Sequence, residues 1–236
     1  MALPLYLAQT AAEMAGNPLS GSCAYMACHF SPGGRGLSNL PEMLPTGAML
    51  ILDDSSPMAD HDPALILKQL ADVISRHSCE SLLLDFQRSG LPAQQELAKL
   101  LCNALPCPVG ASEIYAHGLA CPVFLPPVPP DRLLMDHLAP WQGREIWLDA
   151  ALDGITLTLT ESGCTTDPFF DFPEDGLTDK LLNCHYTIEA NADSAIFRLW
   201  RTREDLDDLL KEAESLGIKK AVGFWQELGD VFCAAP

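Results

Sequence analysis

Two short runs, Met49-Leu50-Ile51-Leu52 and Ser81-Leu82-Leu83-Leu84, are almost wholly apolar, and each ends in aspartate, at Asp53-Asp54 and at Asp85. A strand with one face in water alternates apolar and polar residues; a run that does not alternate is buried on both faces, as in a parallel sheet covered by helices. Runs this short are strands rather than helices. Six further candidates share the pattern less strictly: Leu5-Tyr6-Leu7-Ala8, Ala24-Tyr25-Met26-Ala27-Cys28-His29-Phe30, Pro108-Val109-Gly110-Ala111, Pro122-Val123-Phe124-Leu125, Ala195-Ile196-Phe197-Arg198-Leu199-Trp200 and Ala221-Val222-Gly223-Phe224-Trp225.

Helices separate several of these runs. Asp62 followed by Pro63 is an N-cap with proline at the first helical position, and Leu67, Leu70, Ala71 and Ile74 repeat at helical spacing, so a helix is expected over 63–77. Pro92 opens a second over 92–105, and Thr202 with acids behind it opens a third over 203–216, stopped by Gly217. A shorter helix is expected over 130–138. Eight strands alternating with helices predict an α/β fold, an irregular TIM-like (β/α)8 barrel, as one domain spanning 1–236. An antiparallel hairpin insertion over 145–190 is expected before the seventh strand, which is placed at Ala195–Trp200. One hairpin would join 145–149 to 155–159 around Asp153-Gly154, and another would join 185–189 to 196–199 across Asn191-Ala192-Asp193. The acidic stretch 167–179 reads as an exposed loop. An open doubly wound sheet is the alternative, without a G-x-G-x-x-G fingerprint to support it.

The chain carries 32 acidic against 14 basic residues, a formal net charge of −18. Such a surface repels phosphate backbones, so neither nucleic acid nor an anionic membrane is an expected partner. No run approaches the roughly 20 apolar residues of a membrane span. The N-terminal residues lack the basic region of a secretory signal, and a cytoplasmic location is expected. The nine cysteines are an odd number, lack a C-x-x-C pair and lie partly in apolar runs, as free thiols do. Cys23, Cys28 and His29 are ligand-type residues at irregular spacing, and no metal site and no cofactor are assigned to the chain.

Active sites of barrels form at the carboxyl ends of the strands. The acids there are Asp53, Asp85, Glu113 and Glu227, read as candidate catalytic residues. His29, Gln87, Tyr115, Trp225 and Gln226 lie beside them and are read as candidate substrate contacts. Convergent carboxylates divide acid and base roles when burial and mutual repulsion separate their pKa values, and two flanking a glycosidic oxygen suit glycoside hydrolysis. The competing reading is structural: acids after strands cap helices and close Asx-turns. Asp53, Asp54 and Asp85 are also a possible oxygen-ligand set for Mg²⁺. Asp60-His61-Asp62 places an imidazole between acids, but just ahead of a helix, where capping explains it. The glycine-rich Ser31–Gly36 segment lacks the ending of a P-loop and reads as a mobile loop.

Leu84-Asp85-Phe86-Gln87 resembles the end of the D-x-x-D-x-D-x-E signature on the fourth strand of family 18 glycoside hydrolases, the chitinase-like TIM barrels. Ala221 to Asp230, with Trp225, resembles their eighth strand. The resemblance implies a barrel that acts on or binds a carbohydrate at its C-terminal mouth, with a small-molecule or oligosaccharide ligand. Carried over position by position, the family's acid falls at Gln87, the middle Asp at Asp85, the next at Leu83 and the first at Glu80. Gln87 cannot donate a proton as a carboxylic acid does, so the implied enzyme is degenerate at that position. The alternative is a non-catalytic barrel that binds a small ligand or a partner.

Overall fold

A computed structural model describes residues 3–16, 22–58 and 61–232. The strands are β1 (Leu5–Gln9), β2 (Cys23–Phe30), β3 (Leu37–Ser38), β4 (Met49–Asp53), β5 (Ser81–Asp85), β6 (Val109–Ser112), β7 (Val123–Leu125), β8 (Ile146–Asp149), β9 (Gly154–Thr160), β10 (Gly163–Pro168), β11 (Leu177–Asp179), β12 (Cys184–Ala190), β13 (Ser194–Trp200) and β14 (Lys220–Phe224). The helices are α1 (Ala11–Gly16), α2 (Pro63–His77), α3 (Pro92–Ala104), α4 (Glu113–Ala116), α5 (Leu134–Leu138), α6 (Arg203–Ser215) and α7 (Trp225–Phe232).

Eight strands pair in parallel in the order β1, β2, β4, β5, β6, β7, β8, β14, and β14 returns to β1, so the sheet closes into the expected barrel; β3 adds antiparallel to β2. Its interior is filled by Tyr6, Ala8, Ala24, Met49, Ile51, Leu83, Phe124, Trp147 and Val222. Trp147 is the largest of these side chains: it is fully buried, and its indole occupies the space a side chain at Gly110 would take. Lys220 closes the amino-terminal end. Its ammonium lies 5.0 Å from the ring centroids of both Tyr6 and Trp147 and donates to Glu80 Oε1 at 2.6 Å and Ser81 Oγ at 3.1 Å. Burial alone would raise the Glu80 pKa, but the hydrogen bonds from Lys220 and Tyr6 outweigh it and hold the carboxyl below its usual range.

The barrel residues 4–126, 144–149 and 219–232 form one compact unit, and residues 127–143 and 150–218 form another. The second unit is built on an antiparallel sheet in the order β10, β9, β13, β12, β11. The antiparallel insertion is therefore present, and along the chain it lies between the seventh and eighth barrel strands. The seventh strand is Ile146–Asp149, whereas Ala195–Trp200, expected in that place, pairs with β9 and β12. Ile146, Trp147 and Leu148 are all buried, as a strand covered on both faces requires, so they do not form the first arm of a hairpin. Asp153-Gly154 leads into β9 instead of closing a two-residue turn. The second hairpin forms as expected, with Tyr186 opposite Leu199 and Ile188 opposite Phe197. Of the 167–179 stretch, the ends are taken into β10 and β11, and most of it is exposed. Trp200 packs against Gly176 and is buried within the second unit.

Candidate active site

In a parallel sheet, residues level with one another on neighbouring strands point to the same side. Met49 and Ile51 point into the barrel, and so does Asp53, two residues on; Leu83 does likewise for Asp85. Asp53 and Asp85 are register partners at the carboxyl ends of β4 and β5. His29 is the register partner of Asp53 on β2. This placement depends on a bulge. Ala24 is part of the interior cluster and Met26 packs against it, so strict alternation would turn Cys28 inward and His29 outward. The register shifts between Tyr25 and Cys28, which sends Cys28 outward opposite Leu52 and brings His29 level with Asp53. His29, Asp53 and Asp85 thus form a row over three adjacent strands, whose spacing is about 4.8 Å.

Each member of the row has a hydrogen-bond partner. His29 Nδ1 lies 3.1 Å from the Ala27 carbonyl, which can only accept, so Nδ1 carries the proton. Asp53 Oδ1 accepts from the Ser55 N–H at 2.8 Å in an Asx-turn. Asp85 accepts a hydrogen bond from the Gln87 amide, which favours its charged form. Burial works the other way and is the largest influence; Asp53 and Asp54 add negative charge nearby, and the Asp85 pKa is raised overall. Asp53 and Asp85 are thus neighbouring carboxylates, and Asp85 is the one whose pKa is raised.

Asp54 has a different task. It is 3% exposed, and its two oxygens accept from Gln87 N at 2.9 Å, Arg88 N at 2.9 Å and Gln94 Nε2 at 3.2 Å. Tyr115 completes the network: its hydroxyl lies between Gln94 Oε1, at 2.6 Å, and the Arg88 carbonyl. The carboxylate therefore fixes the turn that follows β5 and carries Gln87. Its oxygens are already engaged, and among the described residues no group of three or more His, Cys, Asp or Glu converges as a metal site.

The remaining candidates separate. Tyr115 is buried at 2% exposure and braces this turn rather than offering a ring face to the mouth. Glu113 opens α4, one residue beyond the end of β6, where Ser112 donates to the Phe86 carbonyl at 2.6 Å. Glu227 lies in the first turn of α7, past the end of β14. Trp225 begins that helix, and its indole covers Gly229 one turn on. Gln226 donates to Glu13, which forms a capping box with Thr10 at the start of α1: the Thr10 N–H donates to Glu13 Oε2 at 2.7 Å and the Glu13 N–H to Thr10 Oγ1 at 3.4 Å. Asp62 caps α2 through Ala64 N and Leu65 N and pairs with Arg35 at 3.1 Å, which accounts for its place after His61; Asp60 lies outside the described residues. The Ser31–Gly36 segment closes on itself through a bond from Ser31 N to the Gly36 carbonyl at 3.0 Å.

Two further residues end barrel strands on the inward side and were not singled out in the sequence. Val222 points into the barrel, so the aromatic at the inward end of the eighth strand is Phe224, 43% exposed, not its neighbour Trp225. Asp149 ends the seventh strand on the same side as Trp147. Period-two counting from Val222 identifies the first. The second depends on Ile146–Asp149 being a barrel strand, which its sequence pattern does not distinguish from a hairpin arm. A cavity of about 720 Å³ lies elsewhere on the same unit, where α1 meets residues 40–45; Tyr25, which lines it, alternates with the inward Ala24 and so faces outward.

The fold is a closed parallel TIM-like barrel whose chain carries an antiparallel sheet between the seventh and eighth strands in sequence. Several solved structures share that fold. A class V chitinase from Nicotiana tobaccum matches with a TM-score of 0.59 at 8% identity, over 94% of this chain and 93% of that one. A mutant GH18 chitinase from Cycas revoluta, in complex with (GlcNAc)4, matches with a TM-score of 0.56 at 12% identity, over 99% and 97%. The spore cortex-lytic enzyme SleL from Bacillus cereus matches with 0.56 at 9% identity, over 94% and 70%. The resemblance read from β5 and β14 thus holds at the level of the fold. No family model and no curated protein matches the sequence.

Proposed function

We propose that this protein takes a carbohydrate at the carboxyl mouth of its barrel and hydrolyses a glycosidic bond there, with Asp85 as proton donor and Asp53 as its charged partner. The observation that carries the reading is the register of Asp53 with Asp85 on adjacent inward-facing strands, together with the raised pKa of Asp85. A carboxyl with a raised pKa is the better placed of the two to donate a proton to a leaving oxygen, and a second carboxylate one strand away stabilises the cationic sugar or attacks it. Phe224 supplies an apolar ring at the rim, the kind of surface on which a sugar face stacks. The chitinase-type neighbours, one of them holding (GlcNAc)4, make N-acetylglucosamine oligomers the first substrates to try.

A second reading has its own support. Gln87 occupies the position at which the resemblance places the proton-donating Glu, and its amide is spent on Asp85. A mouth so arranged binds an oligosaccharide without cleaving it. Hydrolysis of a panel of chromogenic N-acetylglucosaminides separates the two. Turnover by the wild type that falls at least about a hundredfold in Asp85→Asn supports catalysis, the usual size of a general acid's contribution. Equal turnover by both proteins removes Asp85 from the chemistry. No turnover of any substrate leaves the binding reading, which is tested by titration with the intact oligomer.

A further inference from the structure

In the second unit, one cluster sets a hydroxyl, an imidazole and a carboxylate in line. Thr178 of β11 pairs with His185 of β12, and His185 pairs with Trp200 of β13, so the three side chains stand side by side on one face of the antiparallel sheet. α6 begins just past β13 and carries Asp205 in its first turn. His185 Nδ1 lies 2.7 Å from Asp205 Oδ2, and His185 Nε2 lies 3.4 Å from Thr178 Oγ1. The same Asp205 oxygen accepts from the Thr202 N–H at 2.9 Å and the Thr202 hydroxyl at 2.7 Å, which fixes the carboxylate on the helix start. A carboxylate only accepts, so Nδ1 carries the proton and Nε2 turns its lone pair to the Thr178 hydroxyl. Trp200 flanks the imidazole, with ring centroids 6.0 Å apart and planes at 33°. Asp205 is buried, His185 part-buried and Thr178 exposed, so the reactive end of the line is the one that faces solvent. β11 is also the outer strand of its sheet. Successive N–H groups of an antiparallel strand point alternately towards its partner and away, so an N–H faces outward at Thr178 or at the residues beside it.

We propose that Thr178, His185 and Asp205 form a second reactive site, at which the Thr178 hydroxyl is a nucleophile towards a carboxylic ester. Thr178 Oγ1 bonds to the ester's carbonyl carbon while His185 Nε2 takes its proton. Negative charge moves to the carbonyl oxygen, which the outward N–H of β11 is placed to receive. The tetrahedral intermediate then collapses: the ester C–O bond breaks, and the imidazolium returns the proton to the leaving oxygen, which departs as an alcohol. Water attacks the threonyl ester in the same way, with Nε2 again taking and returning a proton, and the acid leaves with the hydroxyl restored. One ester and one water become one acid and one alcohol, with no change of oxidation state. Asp205 does not exchange a proton; it holds the imidazole in the tautomer and orientation that the transfer needs. Such a line is recognised by the roles of its members and not by their order in the chain. No residue of the barrel mouth takes part, so the proposal stands apart from the carbohydrate reading.

Exposure of the protein to p-nitrophenyl acetate, with p-nitrophenolate release followed in time and the acetyl group located by peptide mapping, tests this. The expected result is acetylation of Thr178 ahead of Thr165, which is also exposed but lies on β10, at the opposite edge of the same sheet. His185→Gln is expected to slow acetylation of Thr178 at least about a hundredfold, the usual size of a general base's contribution. Thr178→Val is expected to remove the corresponding phase of p-nitrophenolate release. Acetyl groups confined to lysines, the N-terminus or an imidazole overturn the proposal. So does acetylation of Thr178 no faster than of Thr165, or at the wild-type rate in His185→Gln. Should His185→Gln not fold, the comparison of Thr178 with Thr165 in the wild type still decides.

Discussion

At Asp54, three N–H groups meet one buried carboxylate, and the same residue sits directly beside the inward-facing Asp53. The two adjacent aspartates point to opposite sides of β4's end: one enters the mouth and the other holds the neighbouring turn. Asp54→Ala leaves donors of the 87–94 segment unpaired and is expected to cost about 3 kcal/mol, since each unsatisfied buried donor costs about 1–3 kcal/mol; chemical denaturation measures it. Asp85 gives a prediction of opposite sign. Its folded pKa lies above the ordinary carboxylate value, so the folded state binds the proton more tightly than the unfolded chain. Its contribution to stability is complete below the unfolded value and is lost as pH rises through the folded one. Asp85→Asn is expected to be more stable than the wild type at pH 7, with the difference shrinking towards pH 4, as denaturation at both pH values would show. Strand-end acids were legible in the sequence because they terminate apolar runs. Their division into mouth and brace was not, because it depends on which face each neighbour presents.

Helix ends were the most readable elements. Asp62 accepts from Ala64 N at 3.0 Å and Leu65 N at 3.3 Å, and Thr202 with Asp205 forms a capping box, both as their positions ahead of periodic apolar residues imply. Asp62→Ala is expected to lower stability by about 1 kcal/mol. Strands were harder. Ile146–Asp149 and Ala195–Trp200 both satisfy a strand pattern, and local propensity does not say which of them joins the barrel; the first is buried at Ile146, Trp147 and Leu148, the second is only half-buried over most of its length. The β2 bulge was equally invisible, yet it decides that His29 faces inward. Packing against Trp147 makes Gly110 a sensitive position. A Cβ there would lie 2.5 Å from the indole, so Gly110→Ala is expected to destabilise the barrel by about 1–3 kcal/mol, measured by thermal unfolding.

Charge acts on the molecule as a whole. A net charge of −18 makes the chain repel itself, and salt weakens that repulsion as the screening length falls from about 30 Å at 0.01 M to about 8 Å at 0.15 M. The thermal midpoint is expected to rise over that range; a falling midpoint would mean that ion pairs such as Arg35–Asp62 outweigh the repulsion. The barrel itself was legible because seven of its eight strands are short apolar runs with helices between several of them, a pattern that admits few other arrangements, and the β5 and β14 segments pointed to the chitinase-type barrel. Which residues meet at the mouth is a matter of register between strands far apart in sequence, and register leaves little trace in a single chain. Calorimetric titration of (GlcNAc)4 into the wild type, Asp53→Ala, Asp85→Ala and the control Glu161→Ala tests the mouth directly. The account predicts one site, weakened about 10- to 100-fold by either mouth substitution, the span of one charged hydrogen bond, and unchanged in the control. Absence of binding, or equal affinity in all four proteins, would contradict it.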